Sequence, residues 1–209
     1  LDPIATGVLP IAVGNCTRFF EFSLNKKKQY RAEFEFGTCT DTLDFTGIET
    51  KKTENIPKKG EIESKLPILI GEIDQIPPIF SAKSINGVRA YKLAREGKNV
   101  EMKPCKVQIY DLKIVSFEDN KLVLDIVCSA GTYIRSICRD LAESLDSLAI
   151  MTKLNRNMSG EFVIDDTSSI DEIDSNPKEI LLPPDFLVSG LKRIELSEMQ
   201  QKKNLNGQE

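Results

Sequence analysis

The chain has 209 residues, 40% of them hydrophobic and 29% charged, with a net charge of −4; those are the proportions of an ordinary globular protein. Its apolar runs are too short to cross a bilayer, and net negative charge argues against indiscriminate coating of nucleic acid. There is no His, and the five Cys are scattered with no C-x-x-C pair, so neither a common zinc site nor a disulfide framework is expected, and free thiols in a reducing cytoplasm are.

The chain opens with LDPIATGVLP. No Met precedes it, which predicts a chain trimmed just upstream of Asp2. Pro3 favours an extended geometry for Asp2. A lysine run, Lys26, Lys27 and Lys28, leads into residues 30–36, where Tyr30, Ala32, Phe34 and Phe36 alternate with Arg31, Glu33 and Glu35. That is the pattern of a half-buried strand. Gly37 ends it, and the Asp-, Thr- and Gly-rich stretch 38–47 predicts a loop. Ile62, Leu66 and Ile70 have helical spacing over 60–71, interrupted by Pro67, which breaks a helix hydrogen bond. Residues 75–87 read as a turn-rich connector, and 88–97 as a short helix closed by Gly97.

Strand-like runs over 106–115 and 121–128, with a short turn segment between them, predict an antiparallel pair. Ile134, Ile137, Cys138, Leu141 and Leu145 then recur at helical spacing, the clearest helix of the chain, from about 132 to about 145. After the stretch LNRNMSGEF, Ser169 with Glu172 and Ser197 with Gln200 form capping-box patterns that open two short helices. A linker, LLPPDFL, separates them. Too little chain follows to cover the last elements, which predicts truncation at this end as well.

Without His, a G-x-S-x-G elbow or a phosphate-binding glycine loop, what remains is carboxylate, Tyr and Arg chemistry. The candidates are Asp2 beside Pro3, Tyr30 after the lysine run, and Tyr133 with Arg135 in the first turn of the best helix. Taken singly, each has an ordinary structural explanation in a turn, a packed strand or an amphipathic helix. Spacing alone does not assemble them.

Five stretches in order carry more. They are LDPIATGVLPIAVGNCTRF, KQYRAEFEFGTCTDTLDFTG, QIPPIFSAKSINGVRAYKLAREG, CSAGTYIRSICRDLAESL and LNRNMSGEF. Together they resemble the TruB-type tRNA pseudouridine synthases over residues 1–163, and more loosely near the end. The resemblance implies an α+β fold: a mixed, largely antiparallel sheet flanked by helices. It implies a catalytic domain over 1–184 lacking its N-terminal segment, and the beginning of a truncated PUA-like RNA-binding domain over 185–209. The implied activity is isomerisation of uridine 55, in the T-arm loop of tRNA, to pseudouridine. The base is flipped out, its glycosidic bond breaks, and carbon 5 reattaches to the same sugar. Such a reaction implies no metal and no other cofactor, a tRNA partner, no membrane, and a monomer in the cytoplasm.

Residue by residue, the resemblance puts Asp2 at the essential aspartate and Arg135 at the arginine paired with it. Tyr30 falls at the aromatic that stacks on the target base, Tyr133 in the same pocket, and Leu154 at the leucine that closes it. The family's His lies a few residues before the aspartate, upstream of Leu1. Two departures stand out: Ala130 replaces a common Lys ahead of the G-T-Y-I-R motif, and Ser84 stands where a Lys is common, with Lys83 beside it. The basic clusters at 26–28 and 89–98 become expected contacts to the RNA backbone. Two other readings are an RNA-guided relative acting on ribosomal RNA and a non-catalytic tRNA-folding chaperone. PIATGVLPIAVG and QIPPIFSAKSING favour the stand-alone branch, and Asp2, Tyr30 and Arg135 together speak against a chaperone.

Overall fold

The computed structural model describes residues 2–24, 26–85, 87–98, 100–188 and 190–207, with the side chains of all but 23 and 24. In chain order its first elements are β1 (Thr6–Gly7), α1 (Glu21–Leu24), β2 (Lys28–Phe36), β3 (Thr38–Thr40), β4 (Glu49–Lys52), α2 (Lys59–Lys65) and β5 (Gly71–Gln75). A small hairpin, β6 (Ser84–Ile85) and β7 (Val88–Arg89), leads into α3 (Ala90–Arg95). Then come β8 (Cys105–Glu118), β9 (Lys121–Cys128), α4 (Ile134–Glu143), β10 (Ala149–Ser159), β11 (Phe162–Val163), α5 (Ile170–Ser175) and α6 (Glu198–Leu205).

The alternating stretch becomes a central strand, with the face predicted. Tyr30, Ala32, Phe34 and Phe36 of β2 are buried, because side chains two apart share one face of a pleated strand. The main sheet runs β1-β10-β2-β9-β8-β5, with β11 beside β10. Its pairings are antiparallel except β1 on β10, so the sheet is mixed and largely antiparallel, as expected. The β8–β9 pair turns at Asp119 and Asn120, both at positive φ (47° and 61°), the backbone of a two-residue hairpin. The Asn120 amide also donates to the Phe36 carbonyl at 2.6 Å, tying the hairpin to β2. Helix α4 lays Ile134, Ile137, Cys138 and Leu141 on the same core as Phe34, Leu122, Leu124 and Met151.

Several local expectations change. The helix over 60–71 is α2 followed by a 3-10 turn (Leu66–Leu69); Pro67 sits in the first positions of that turn, where its missing N–H breaks no helical bond. The loop over 38–47 contains β3, which pairs with β4. The short helix at 88–97 narrows to α3, its first two residues going into β7. Helix α4 starts at Ile134, with Tyr133 as its N-cap. Among the strands of five residues or more, two had no clear sequence signal: β5, and above all β10, which lies between β1 and β2. Irregularities at Met151/Lys153 and Arg156/Met158 break its period-2 pattern, and Arg156 is a buried charged residue that reads as surface.

Both capping boxes form. The Ser169 hydroxyl accepts from the Glu172 N–H while the Glu172 carboxylate accepts from the Ser169 N–H; Ser197 and Gln200 repeat the device. Neither helix buries a residue. Between them the Phe186 ring packs on Phe162, centroids 5.2 Å apart. Among the described residues no helix is long and apolar enough to cross a membrane.

Leu124 is fully buried in the middle of this core. Leu124→Ala should lower the unfolding free energy by about 2–5 kcal/mol, because the neighbours only partly collapse into the space left; equilibrium urea denaturation measures it.

Candidate active site

The N-terminal segment is held in place by backbone. The Ala5 N–H donates to the Asp2 carbonyl at 3.0 Å, closing a turn with Pro3 at its second position, where the fixed φ of proline fits. Beyond the turn, β1 pairs in parallel with β10, Thr6 opposite Asn155 and Gly7 opposite Arg156. The Val8 N–H then donates to the Arg156 carbonyl at 2.8 Å, and Arg156 Nε donates back to the Val8 carbonyl at 2.8 Å. Gly7, at φ +94°, leaves no room for a side chain, since a Cβ would collide with the Arg156 carbonyl. Asp2 is thus referenced to the sheet through a short, clamped segment.

Arg135 reaches it from the first turn of α4. Its Nε donates to Asp2 Oδ2 at 2.8 Å and its Nη2 to Asp2 Oδ1 at 2.7 Å, the bidentate geometry that suits guanidinium to carboxylate. Nη1 donates to the Thr42 carbonyl at 2.8 Å, and Nη2 also to the Phe80 carbonyl at 3.0 Å. The Arg135 side chain is 7% exposed and that of Asp2 23%. The carboxylate therefore keeps an open side while the cation does not.

The helix start is itself locked. Gln75, fully buried, donates through Nε2 to the Tyr133 carbonyl at 3.1 Å and accepts from the Tyr133 N–H at 2.8 Å. Ser136 Oγ and Arg139 Nη2 both donate to the Ile76 carbonyl. The connector after β5 is thereby bound to the turn that presents Arg135.

A third charged group, missed in the sequence, is Asp44. Its Oδ2 lies 3.4 Å from Arg135 Nη1, and it is buried. The other oxygen accepts from Thr42 Oγ1, the Thr46 N–H and Thr46 Oγ1 at 2.6–2.9 Å. Leu43 next to it adopts φ +63°, uncommon for a residue with a side chain. Hydrogen bonds to β10, Met151 N–H to the Leu43 carbonyl and Phe45 N–H to the Met151 carbonyl, hold that strained turn. The signal was present as the T-x-x-x-D-x-T pattern of residues 40–46, but Thr- and Asp-rich turns are common, and nothing local marks the arginine as its partner.

The remaining expected residues fall as follows. Tyr30 lies opposite Arg156 in the β2–β10 ladder and is 8% exposed. Burial pushes its phenol above the usual value; the Cys128 thiol and the Asp2 carboxylate add to this, and Arg156 opposes it. Burial likewise raises the Tyr133 phenol, with the Ser81 hydroxyl and Arg135 opposing and Asp2 adding. Both phenols thus lie within electrostatic reach of Asp2. Leu154, opposite Ala32, is buried within the core. Of the basic clusters, Lys26 pairs with Glu161 at 2.9 Å, Lys27 sits 4.2 Å over the Tyr110 ring, and Lys98 pairs with Glu96. Lys83 donates to the Lys103 carbonyl.

The family model for the N-terminal domain of the TruB family pseudouridylate synthases matches residues 1–134. The chain belongs to the TruB family. Among its curated relatives, the tRNA pseudouridine synthase B of Alkaliphilus oremlandii is 38% identical over 209 residues, covering 99% of this chain and 70% of that protein. The tRNA pseudouridine synthase B of Borreliella afzelii is 46% identical over 170 residues, 80% of this chain and 60% of that protein. Among solved structures, a Cbf5–Nop10–Gar1 complex aligns with a TM-score of 0.63 at 22% identity, over 87% of this chain and 46% of the other. An H/ACA RNP bound to a substrate RNA containing 2′-deoxyuridine aligns with a TM-score of 0.61 at 20% identity, over 92% of this chain and 45% of the other. These two share the fold, and the TruB-family chain spans under half of their length.

Two outcomes follow from the site's charges. Arg135→Ala should cost about 3–5 kcal/mol of stability in urea denaturation, because it strands Asp44 and Asp2 without their cation; Arg135→Lys, which keeps the charge but not the fork, should cost less. The Cys128 thiol, pushed up from 9.0 to about 11 chiefly by burial, stays protonated in the folded protein where an unfolded thiol ionises. Its contribution is therefore complete below pH 9 and is lost as pH rises towards 11, on the order of 2–3 kcal/mol. Cys128→Ala should flatten that part of the stability–pH curve.

Proposed function

We propose that this chain converts a uridine of tRNA to pseudouridine, with Asp2 as the catalytic carboxylate. The observation that carries the reading is the open side of Asp2: both its oxygens are gripped by Arg135, yet its side chain keeps solvent access, with the Tyr30 and Tyr133 phenols near enough to feel its charge. Asp125, about as open, pairs with an exposed Arg31, whereas Asp2 sets an open carboxylate on a buried cation. In the reaction the bond from nitrogen 1 of uracil to the sugar breaks, carbon 5 bonds to the same sugar carbon, and the proton lost from carbon 5 is balanced by one gained at nitrogen 1. No atom is added and no electron is exchanged with a second reactant.

The chain's own residues divide the work. Arg135 fixes the orientation of the Asp2 carboxylate and neutralises it against Asp44. Tyr30 offers a ring on which the flipped uracil stacks, recovering about 1–3 kcal/mol of the few spent on extruding it. Tyr133 borders the same carboxylate, and Leu154 backs the base from β10. The finer assignments belong to the same proposal: the T-arm loop and uridine 55 as target, a monomer in the cytoplasm, residues 1–184 as the catalytic unit and 185–209 as the opening of a PUA-like domain. The curated relatives named tRNA pseudouridine synthase B, at 38% and 46% identity, support a tRNA substrate over the guided assemblies, with which identity is 20–22%.

The test is Asp2→Ala assayed on a T-arm stem-loop RNA. Pseudouridine formation should fall below detection while RNA affinity stays within about threefold of wild type, since no phosphate contact is removed. Pseudouridine made by the Asp2→Ala protein would remove Asp2 from the chemistry. Tyr30→Phe should keep most of the RNA affinity, because the stacking face survives, whereas Tyr30→Ala should lose it by about 5- to 150-fold.

A further inference from the structure

Arg156 is a second buried guanidinium, and it is supported differently from the first. Arg135 faces two carboxylates. Arg156 is 9% exposed, and among the described residues it makes no ion pair with an Asp or Glu. Its Nε is committed to the Val8 carbonyl, and the guanidinium lies beside the Tyr30 phenol. A buried cation without a counterion is costly to maintain.

A second cation shares that face. Lys28 is two residues from Tyr30 on β2, so both side chains point the same way. Its neighbours across the ladders are Cys128 of β9 and Ser159 of β10, and its Nζ donates to Ser159 Oγ at 3.1 Å. The other two lysines of the run turn elsewhere, Lys26 to Glu161 and Lys27 to Tyr110. The Lys28 ammonium is pushed below its usual value by burial first and by repulsion from Arg156 second, with Cys128 opposing. The ladder thus sets Lys28 two positions along β2 from Tyr30 and Arg156 opposite that ring, near enough for their charges to repel, and an anion held by both would relieve both the repulsion and the desolvation.

We propose that Lys28 and Arg156 form an anion site that takes a backbone phosphate of the RNA adjoining the flipped uridine. The inference rests on the activity proposed above and adds to it a means of holding the extruded nucleotide by its phosphate while the detached uracil turns on Tyr30. It also separates Lys28 from the rest of its basic run: only this lysine is assigned a contact at the reacting nucleotide.

The experiment is a binding cycle with the full chain. Wild type and Lys28→Gln are titrated with a T-arm stem-loop RNA, and with the same RNA carrying one uncharged methylphosphonate either 5′ or 3′ of the target uridine. On the unmodified RNA, Lys28→Gln should weaken binding about tenfold and reduce the slope of log affinity against log salt by about 0.7–0.9. On one of the two methylphosphonate RNAs, already weakened for wild type, the variant should cost nothing further. Lys28→Arg should restore both the affinity and the dependence on that phosphate. An equal penalty from Lys28→Gln on all three RNAs, no penalty on any, or competition by inorganic phosphate that is the same with and without the methylphosphonate, would overturn the assignment. Conversion of the unmodified RNA by wild type is scored in parallel, so failure of the proposed activity is seen separately from failure of the phosphate site.

Discussion

The guanidinium of Arg135 is the junction on which the arrangement depends. Four hydrogen bonds leave it for Asp2, the Thr42 carbonyl and the Phe80 carbonyl, and its Nη1 edge also faces Asp44. Guanidinium has five N–H donors in a fixed plane, so these partners must be placed to match it rather than the reverse. They come from the chain start, the turn after β3 and the connector after β5, parts far apart in sequence. None of these segments has a core of its own. The first two are instead secured by backbone hydrogen bonds to β10 and the third by side-chain hydrogen bonds of Gln75, Ser136 and Arg139 at the start of α4, and their agreement at one side chain makes the site a product of the complete fold.

Strand β10 is the second organising element. It lies between β1 and β2, and it holds the Asp44 turn through Met151. Along its length it carries Leu154 in the core and Arg156 at the ladder position of Tyr30. Its two register shifts flank this stretch, one before Lys153 and one before Met158. Bulges re-aim side chains and increase local twist. Here they permit a strand to present apolar groups to the core at one end and a buried charge to the site at the other.

The sequence made the frame legible wherever one physical signal dominated. The alternation in β2, the apolar spacing of α4 and the two capping boxes each depend on neighbours two, three or four residues away, and those elements are where they were expected, to within a few residues. The β10 strand was hidden because its pattern is broken by bulges and its burial includes an arginine, whose partners at Val8 and Tyr30 lie far away in the sequence. At the site, the pairing of Asp2 with Arg135 and the nearness of Tyr30 and Tyr133 were expected from motif resemblance, not from spacing, since no local rule links residue 2 to residue 135. Asp44 was missed for the same reason in reverse: its local pattern looked like an ordinary turn, and its meaning lies in a guanidinium some ninety residues away.

Arg156 shows why such long-range choices are hard to separate into structure and function. Its backbone carbonyl and its Nε grip Val8 from both sides, its backbone crowds Gly7 closely enough to exclude any Cβ, and its guanidinium lies beside Tyr30. A change at this one position would therefore move the segment carrying Asp2 and alter the charge next to the aromatic ring together. Lys28 sits on the same face, two positions along β2 from Tyr30, with its Nζ donating to Ser159 Oγ. The electrostatic contribution of the pair can thus be removed through the lysine with the placement of Asp2 left intact, and it is this division of labour that gives the phosphate site an identity distinct from the scaffold that supports it.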